Sequence, residues 1–326
     1  MNSQSQPSSQ AATSKAAQSA ATSWAEVVRL RTLPAAVAPI LLGSGAAAAL
    51  GGFSLLRSLL AAGVALALQI GSNLANDYSD GVRGTDDDRT GPPRLTASGQ
   101  VNPKRVKYAA FGCFGLAGLL GVTLLALSGQ WWWLLLGLAA VAAAWFYTGG
   151  SHPYGYAGLG EVFVFLFFGL MATVGTTYVQ VATAPGWLWL AACGIGLSAC
   201  SLLMVNNLRD IHTDPAHGKI TLAVRLGEAR ARRAFIMLVL LPVPLALAAL
   251  SWARWASHPG DAHPLGAGLQ LLLVLVVLGV FAWRATRTVR SGASGRALIP
   301  VLRDAGLFEL VYGVVVGLAL ALLTAA

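Results

Sequence analysis

Two polar stretches, residues 73–107 and 206–233, hold most of the side chains in this sequence that could do chemistry. Each follows a long apolar run and mixes carboxylates, side-chain amides and cations. In both, an asparagine stands four residues before an aspartate, and side chains four apart lie on one face of a helix. If the preceding helices continue into these stretches, each presents a stripe of oxygen ligands. The matching residues are Asn76 and Asp80 in the first stretch, and Asn206, Asp210 and Asp214 in the second.

These stripes are typical of a site for a hard divalent cation. Carboxylates one helical turn apart repel each other, and a bound cation offsets that repulsion. Oxygen ligands suit Mg²⁺, which takes one or two protein carboxylates together with phosphate oxygens. No cysteine or histidine stands at ligand spacing, which disfavours zinc. The sequence therefore predicts Mg²⁺ on a diphosphate, with the remaining phosphate oxygens bound by Arg83, Arg94, Arg209 and Lys219.

The composition predicts an all-α polytopic membrane protein. Of the 326 residues, 56% are hydrophobic and 11% are charged, whereas soluble domains carry about 25% charged residues. A transmembrane helix needs roughly 20 apolar residues. Nine runs approach that length, which predicts nine transmembrane helices around a central cavity. The runs are 34–52, 56–76, 108–128, 131–148, 159–181, 186–206, 234–252, 267–284 and 305–325.

The basic residues predict the orientation of these helices in the membrane. Cytoplasmic loops carry an excess of lysine and arginine. With nine spans, all of the 22 lysine and arginine residues except Arg57 and Arg254 fall on the side of the N-terminus. We therefore expect a multi-pass protein of the cell (plasma) membrane, with a cytoplasmic N-terminus, an external C-terminus and a cavity that opens to the cytoplasmic side. This bias accounts for the net charge of +9 without a nucleic-acid partner.

The N-terminal segment differs in composition from the rest of the chain. Residues 1–23 are rich in Ser, Gln, Ala and Thr and contain no apolar run. Such a composition cannot bury enough surface to order itself. We therefore expect a disordered tail at 1–23 and a transmembrane catalytic domain at 24–326.

A diphosphate bound at the mouth of an apolar helical cavity indicates a lipid diphosphate as substrate. A metal and cations stabilise the pyrophosphate that leaves when the C–O bond breaks. The allylic cation that remains needs a nearby nucleophile and the exclusion of water. An aromatic acceptor within the membrane fits this requirement.

Four segments of the chain resemble the UbiA superfamily of intramembrane prenyltransferases. They are RLRTLPAAVAPILLGS at 29–44, NDYSDGVRGTD at 76–86 followed by GPPRLTASG, YTGGSHPYGYAGLGEVFVFLFFG at 147–169, and NNLRDIHTDPAHGKITLAVRLG at 206–227. Within the superfamily the chain is most similar to the 1,4-dihydroxy-2-naphthoate polyprenyltransferases of menaquinone synthesis. The resemblance covers about 29–227, and the last three spans match by topology alone.

The resemblance implies which aspartates act in catalysis. The first family motif, Asn-x3-Asp-x3-Asp, is matched at Asn76 and Asp80, but its third position is Gly84. The dihydroxynaphthoate branch is similar in placing its next carboxylate two residues on, at Asp86, and Asp87 is a further candidate ligand. The roles of Asp77 and Asp87 stay open at this point. The second motif is complete, so Asp80, Asp210 and Asp214 are the expected catalytic residues.

The resemblance also implies a reaction. A polyprenyl group is transferred from polyprenyl diphosphate to 1,4-dihydroxy-2-naphthoate, with loss of CO₂ and pyrophosphate, to give demethylmenaquinone. The expected acceptor contacts lie around the loop that has no cation: Tyr147, Tyr154, Tyr156 and Glu161. Aromatic rings stabilise cations and stack on a naphthoate, although tyrosines also act as interfacial anchors.

Two other functions fit parts of the pattern. A related enzyme could use another aromatic acceptor, either 4-hydroxybenzoate or homogentisate. A transporter would also have related halves, but its polar groups usually lie near the midplane of the bilayer. Here the carboxylates cluster at one face, which disfavours the transporter.

Overall fold

The computed structural model describes residues 32–85, 94–99, 101–257 and 264–324. These residues form helices joined by short connections. The helices are α1 (Leu33–Ala49), α2 (Leu55–Arg83), α3 (Pro103–Ser128), α4 (Trp133–Phe146), α5 (Gly160–Val181), α6 (Gly186–Arg209), α7 (Leu222–Leu226), α8 (Glu228–Leu240), α9 (Pro242–Ser257), α10 (Pro264–Arg290) and α11 (Ile299–Ala321). The all-α prediction is confirmed for the described residues.

Seven helical segments in the described ranges are long and apolar enough to cross a membrane, with α8 and α9 counted as one segment interrupted at Leu241. The other two apolar helices, α1 and α4, are shorter, at 17 and 14 residues. Every predicted apolar run thus corresponds to a helix, and the chain is a multi-pass membrane protein. A count of nine spans remains a prediction because it depends on α1 and α4 crossing the bilayer.

Helix α10 presents an apolar face to its surroundings. Leu269, Leu273, Val276 and Val280 are all largely exposed on it. Soluble proteins rarely leave an apolar surface of this extent uncovered. This face is the one that we expect to contact the acyl chains of the bilayer.

Helix α2 is longer than the hydrocarbon layer is thick. Its 29 residues span about 43 Å at about 1.5 Å per residue, against a hydrocarbon core of about 30 Å. The helix begins after Ser54, whose side chain accepts a hydrogen bond from the Arg57 N–H, and is followed by Gly84 in the left-handed conformation. Its last turns therefore carry the chain from Asn76, where the apolar run ends, to Asp80 beyond it, at what we call the acidic end of the bundle.

Helices α1 and α11 pack closely through small residues. A Cβ atom at Gly45 of α1 would lie 2.1 Å from the carbonyl oxygen of Gly317 in α11, and one at Gly313 would lie 2.3 Å from the Ala38 oxygen. Only glycine permits this backbone approach, which is a common way for membrane helices to associate. Helix α6 packs against α11, where the Tyr312 hydroxyl of α11 donates a hydrogen bond to the Ala191 carbonyl oxygen of α6.

Helix α5 contains a π-helical segment at Phe165–Met171. Beside it, Gly169 approaches Gly196 of α6 so closely that a Cβ atom would lie 2.4 Å from the Gly196 Cα. A π-helical segment widens the helix and shifts the direction of its side chains. Phe167, Phe168 and Met171 consequently line the interior of the bundle.

Candidate active site

A cavity of about 560 Å³ lies among α1 to α6. Its wall is mainly apolar, and it extends along α2 from Ala61 to Asp80, a distance of about 28 Å by helical rise. At the far end the wall is formed by Ile40, Leu124 and Val179. The predicted central cavity is therefore present, whereas its opening to the cytoplasmic side remains a prediction.

A polar stripe on α2 forms one wall of the cavity. Gln69, Asn73, Asn76 and Asp80 recur every three or four residues, and all four side chains are buried. The first two donate hydrogen bonds to the Thr32 hydroxyl. Only the last two were predicted from the sequence. Gln69 and Asn73 could have been predicted as well, because polar residues spaced three or four apart in an otherwise apolar helix lie on one face of it.

Asp80 is held by a tyrosine from the loop between α4 and α5. The Tyr156 hydroxyl donates to Asp80 Oδ1 over 2.8 Å. The Thr85 hydroxyl lies 3.0 Å from the Tyr156 hydroxyl oxygen, and it must donate to that oxygen because the tyrosine proton is already engaged. Arg94 Nη2 lies 3.9 Å from Asp80 Oδ2. Tyr156 was predicted to contact the acceptor, whereas the structure places it on Asp80.

The hydroxyl of Tyr156 acts as a hydrogen-bond donor to Asp80. Burial, and secondarily the charge of Asp80, raise the pKa of Tyr156 above its ordinary value, so the hydroxyl keeps its proton near neutral pH. Because a hydrogen bond to a charged group contributes about 1.5–3 kcal/mol, we expect Tyr156→Phe to lower kcat/KM about tenfold. The shape of the pH–rate profile should stay unchanged. A new titration in the profile of the variant would contradict this assignment.

The second acidic motif extends past the end of α6. Helix α6 ends at Arg209, Asp210 is its C-cap residue, and Asp214 begins a separate 3-10 turn, Asp214–His217. The continuous stripe expected on this helix is therefore wrong, although the stripe on α2 is correct. The Asp210 carbonyl accepts from the N–H groups of Thr213 and Asp214, which turns the chain out of the helix. Asn206, still on α6, lines the cavity.

The two motifs meet around Tyr156. Lys219 Nζ lies 3.6 Å from Asp214 Oδ1 and 6.0 Å from the centre of the Tyr156 ring. The Tyr156 carbonyl also accepts a hydrogen bond from the Ile220 N–H, at 2.9 Å. Since the hydroxyl of the same tyrosine bonds to Asp80, the segment that follows the second motif reaches the first motif through one residue, Tyr156. Both motifs therefore lie at the acidic end of the bundle.

The four predicted diphosphate cations occupy different surroundings. Arg94 and Lys219 line the cavity. Arg83 donates to the carbonyl oxygens of Thr148 and Gly150 and lies over the Tyr156 ring, so it holds the loop after α4. Arg209 donates hydrogen bonds to both carboxylate oxygens of Asp210, in a bidentate contact. The structure therefore brings two of the four cations to the cavity.

The predicted acceptor residues also separate into two groups. Tyr147 and Tyr154 line the cavity and meet edge to face, with ring centres 5.5 Å apart. Tyr154 stacks on Phe163 at 3.9 Å, which extends this aromatic wall along α5. Glu161 faces α6 instead, where its Oε1 accepts a hydrogen bond from Asn207. A buried contact of this kind gives no signal in the sequence.

Comparison with known proteins identifies the family. Residues 36–299 match the model of the UbiA prenyltransferase family. The chain belongs to this family. A Mycobacterium tuberculosis protein named 1,4-dihydroxy-2-naphthoate octaprenyltransferase is 47% identical over 299 residues, which cover 91% of this chain and 96% of that protein. The Escherichia coli K12 protein of the same name is 44% identical over 216 residues, covering 64% of this chain and 70% of that protein.

The fold is shared with a solved member of the family. The structure of a UbiA homologue from Archaeoglobus fulgidus, bound to DMAPP and Mg²⁺, superposes with a TM-score of 0.62 at 16% sequence identity, covering 90% of this chain and 99% of that one. The family model and the M. tuberculosis relative confirm the predicted family. The match also extends beyond the segment that carried the sequence resemblance, from Gly227 to residue 299.

The donor set at the acidic end suits a hard divalent cation such as Mg²⁺. In the described ranges, no group of three or more His, Cys, Asp or Glu side chains could hold a metal by itself. Mg²⁺ needs fewer protein ligands, because phosphate and water oxygens complete its shell. Asp80, Asn76 and Asn206 bring one carboxylate and two amide groups to the same cavity. Asp86 and Asp87 lie outside the described residues, so their assignment remains a prediction.

Proposed function

We propose that this protein transfers a polyprenyl group from polyprenyl diphosphate to 1,4-dihydroxy-2-naphthoate. The observation that carries the proposal is a single cavity whose acidic end holds Asn76, Asp80 and Asn206 while the rest of its wall is mainly apolar. A substrate that fits both parts has a charged head and a long apolar tail. The names of the M. tuberculosis and E. coli relatives support the acceptor.

The head group would be bound by oxygen ligands and cations together. Asn76, Asp80, Asn206, Asp210 and Asp214 are the residues that would hold Mg²⁺, which when bound supplies positive charge to the leaving pyrophosphate. Asp210 would have to exchange its contact with Arg209 for this role. Arg94 and Lys219 bind phosphate oxygens directly, the first through its planar fork and the second as a point charge.

The aromatic wall supports the carbon chemistry. As the C–O bond to the diphosphate breaks, positive charge develops on the allylic carbon, and the faces of the Tyr147 and Tyr154 rings stabilise it. The apolar wall excludes water, which would otherwise capture the cation. The ring carbon that bears the carboxylate forms the new C–C bond, and CO₂ and pyrophosphate leave.

The experiment that tests this function uses the purified full chain in detergent. With Mg²⁺, octaprenyl diphosphate and 1,4-dihydroxy-2-naphthoate, we expect the prenylated, decarboxylated product by mass spectrometry, together with one pyrophosphate per turnover. Parallel reactions contain 4-hydroxybenzoate or homogentisate. Product from either of these acceptors at a higher kcat/KM would replace the proposed acceptor, and no product from any of them would refute prenyl transfer.

A further inference from the structure

Asp77 stands between two residues of the first motif but differs from both in its surroundings. Asn76 and Asp80 line the cavity, whereas Asp77 is 0% exposed. Its two carboxylate oxygens accept hydrogen bonds from the backbone N–H groups of Leu95 and Thr96, at 3.1 and 3.0 Å. Both oxygens are therefore engaged by the segment 94–99, which follows the first motif in the sequence.

Two further contacts dock this segment against α2. Leu95 is 1% exposed and packs in a core with Leu74, Ala75 and Phe114. Gly81 allows the backbone to come close, because a Cβ atom there would lie 2.6 Å from the Thr96 Cβ. The Asp77 carboxylate, the buried Leu95 side chain and the close approach at Gly81 thus all hold the segment 94–99 on α2.

Docking determines where Arg94 lies. Arg94 precedes Leu95 directly, is 8% exposed, lines the cavity and places Nη2 3.9 Å from Asp80. An arginine on an undocked loop would lose side-chain and backbone entropy on every encounter with a phosphate. Because Asp77 fixes the segment, the Arg94 guanidinium is already oriented toward the position of the head group, as preorganised electrostatic sites require.

We propose that Asp77 is a positioning residue, which docks the segment 94–99 on α2 so that Arg94 binds the substrate diphosphate, and that it does not bind the metal. This inference rests on the proposed function for the identity of the anion. The docking itself is tested independently of activity, because trypsin can cut after Arg94 only when the segment leaves α2.

The first test uses Asp77→Asn. Its amide keeps one acceptor but turns an N–H₂ group toward a backbone N–H, so docking is lost. We expect KM for the prenyl diphosphate to rise about tenfold, as for loss of a hydrogen bond to a charged group. The Mg²⁺ concentration for half-maximal rate should stay unchanged. Without ligands, cleavage at the Arg94–Leu95 bond should become at least about tenfold faster by the same loss of docking.

A second variant, Gly81→Ala, separates docking from metal binding. It pushes Thr96 away and leaves the Asp77 carboxylate intact, so it should reproduce both the KM increase and the tryptic cut. If Asp77→Asn does not fold, Gly81→Ala alone tests whether docking of the segment 94–99 positions Arg94. The matched control is Asp304→Asn, at a buried carboxylate near Arg284 on another pair of helices, and it should change neither readout.

Each outcome supports or overturns the inference. A shifted Mg²⁺ requirement in Asp77→Asn with normal Gly81→Ala would make Asp77 a metal ligand, and cleavage without a change in KM would separate the segment from the diphosphate. A KM increase without cleavage would also overturn docking. An inactive wild-type protein with a resistant Arg94–Leu95 bond would refute the proposed function while leaving the docking intact.

Discussion

Replacing Asp80 by asparagine should lower kcat about 10²–10³-fold, the usual effect of removing one group that stabilises charge in a transition state. The amide oxygen can still accept the hydrogen bond of Tyr156, so the loop after α4 stays in place. What is lost is the negative charge that a metal needs and that faces Arg94. Initial rates at saturating concentrations of both substrates measure the effect.

The control for this variant is again Asp304→Asn. Its carboxylate is buried like that of Asp80 and faces Arg284 at 3.1 Å, but it lies outside the cavity wall. Its turnover should remain close to the wild-type value, because Asp304 does not line the cavity. Thermal unfolding in detergent should be similar for both variants. Wild-type turnover in Asp80→Asn would remove Asp80 from the metal assignment.

A phenylalanine at position 137 should block the tail of the substrate. Gly137 of α4 lines the cavity, and a Cβ atom there would meet no atom within 4 Å. The new ring therefore enters open space and should not disturb the helices around it. Overfilling a packed apolar space costs about 1–3 kcal/mol, so kcat/KM for octaprenyl diphosphate should fall about 10–100-fold. The value for dimethylallyl diphosphate should fall much less.

Gly115→Phe is the matched control for Gly137→Phe, because it adds the same ring outside the cavity. Gly115 lies on the exposed face of α3, where an added Cβ atom would also meet no atom within 4 Å, and it does not line the cavity. The same ring at this position should leave the kinetics with both substrates unchanged. Equal losses with the long and the short substrate in Gly137→Phe would show that the tail does not follow this cavity.

The helices and one end of the site could be predicted from the sequence because they depend on local pattern. Long apolar runs have few alternatives to a helix in a bilayer. Likewise, the Asn76 and Asp80 spacing reports a helical face directly. The end of α6 was missed because capping by the Asp210 carbonyl and the Arg209–Asp210 pair depend on the detailed geometry of that turn.

The remaining contacts join residues far apart in the sequence. Tyr156 and Asp80 meet across 76 positions, and nothing near either residue identifies the other. Glu161 was predicted to contact the acceptor because a carboxylate at the edge of an apolar span suggests a function. Its hydrogen-bond partner, Asn207, lies 46 positions away on another helix, and that pairing depends on how α5 and α6 pack.

The glycine contacts between α1 and α11 affect how the protein is made. Helix α1 is synthesised before α11, but its Gly45 surface fits the Gly317 backbone of α11. Until α11 is made, this glycine surface of α1 lacks the helix against which it packs. Any nascent chain that stops before residue 299 should therefore be a substrate for membrane quality-control proteases.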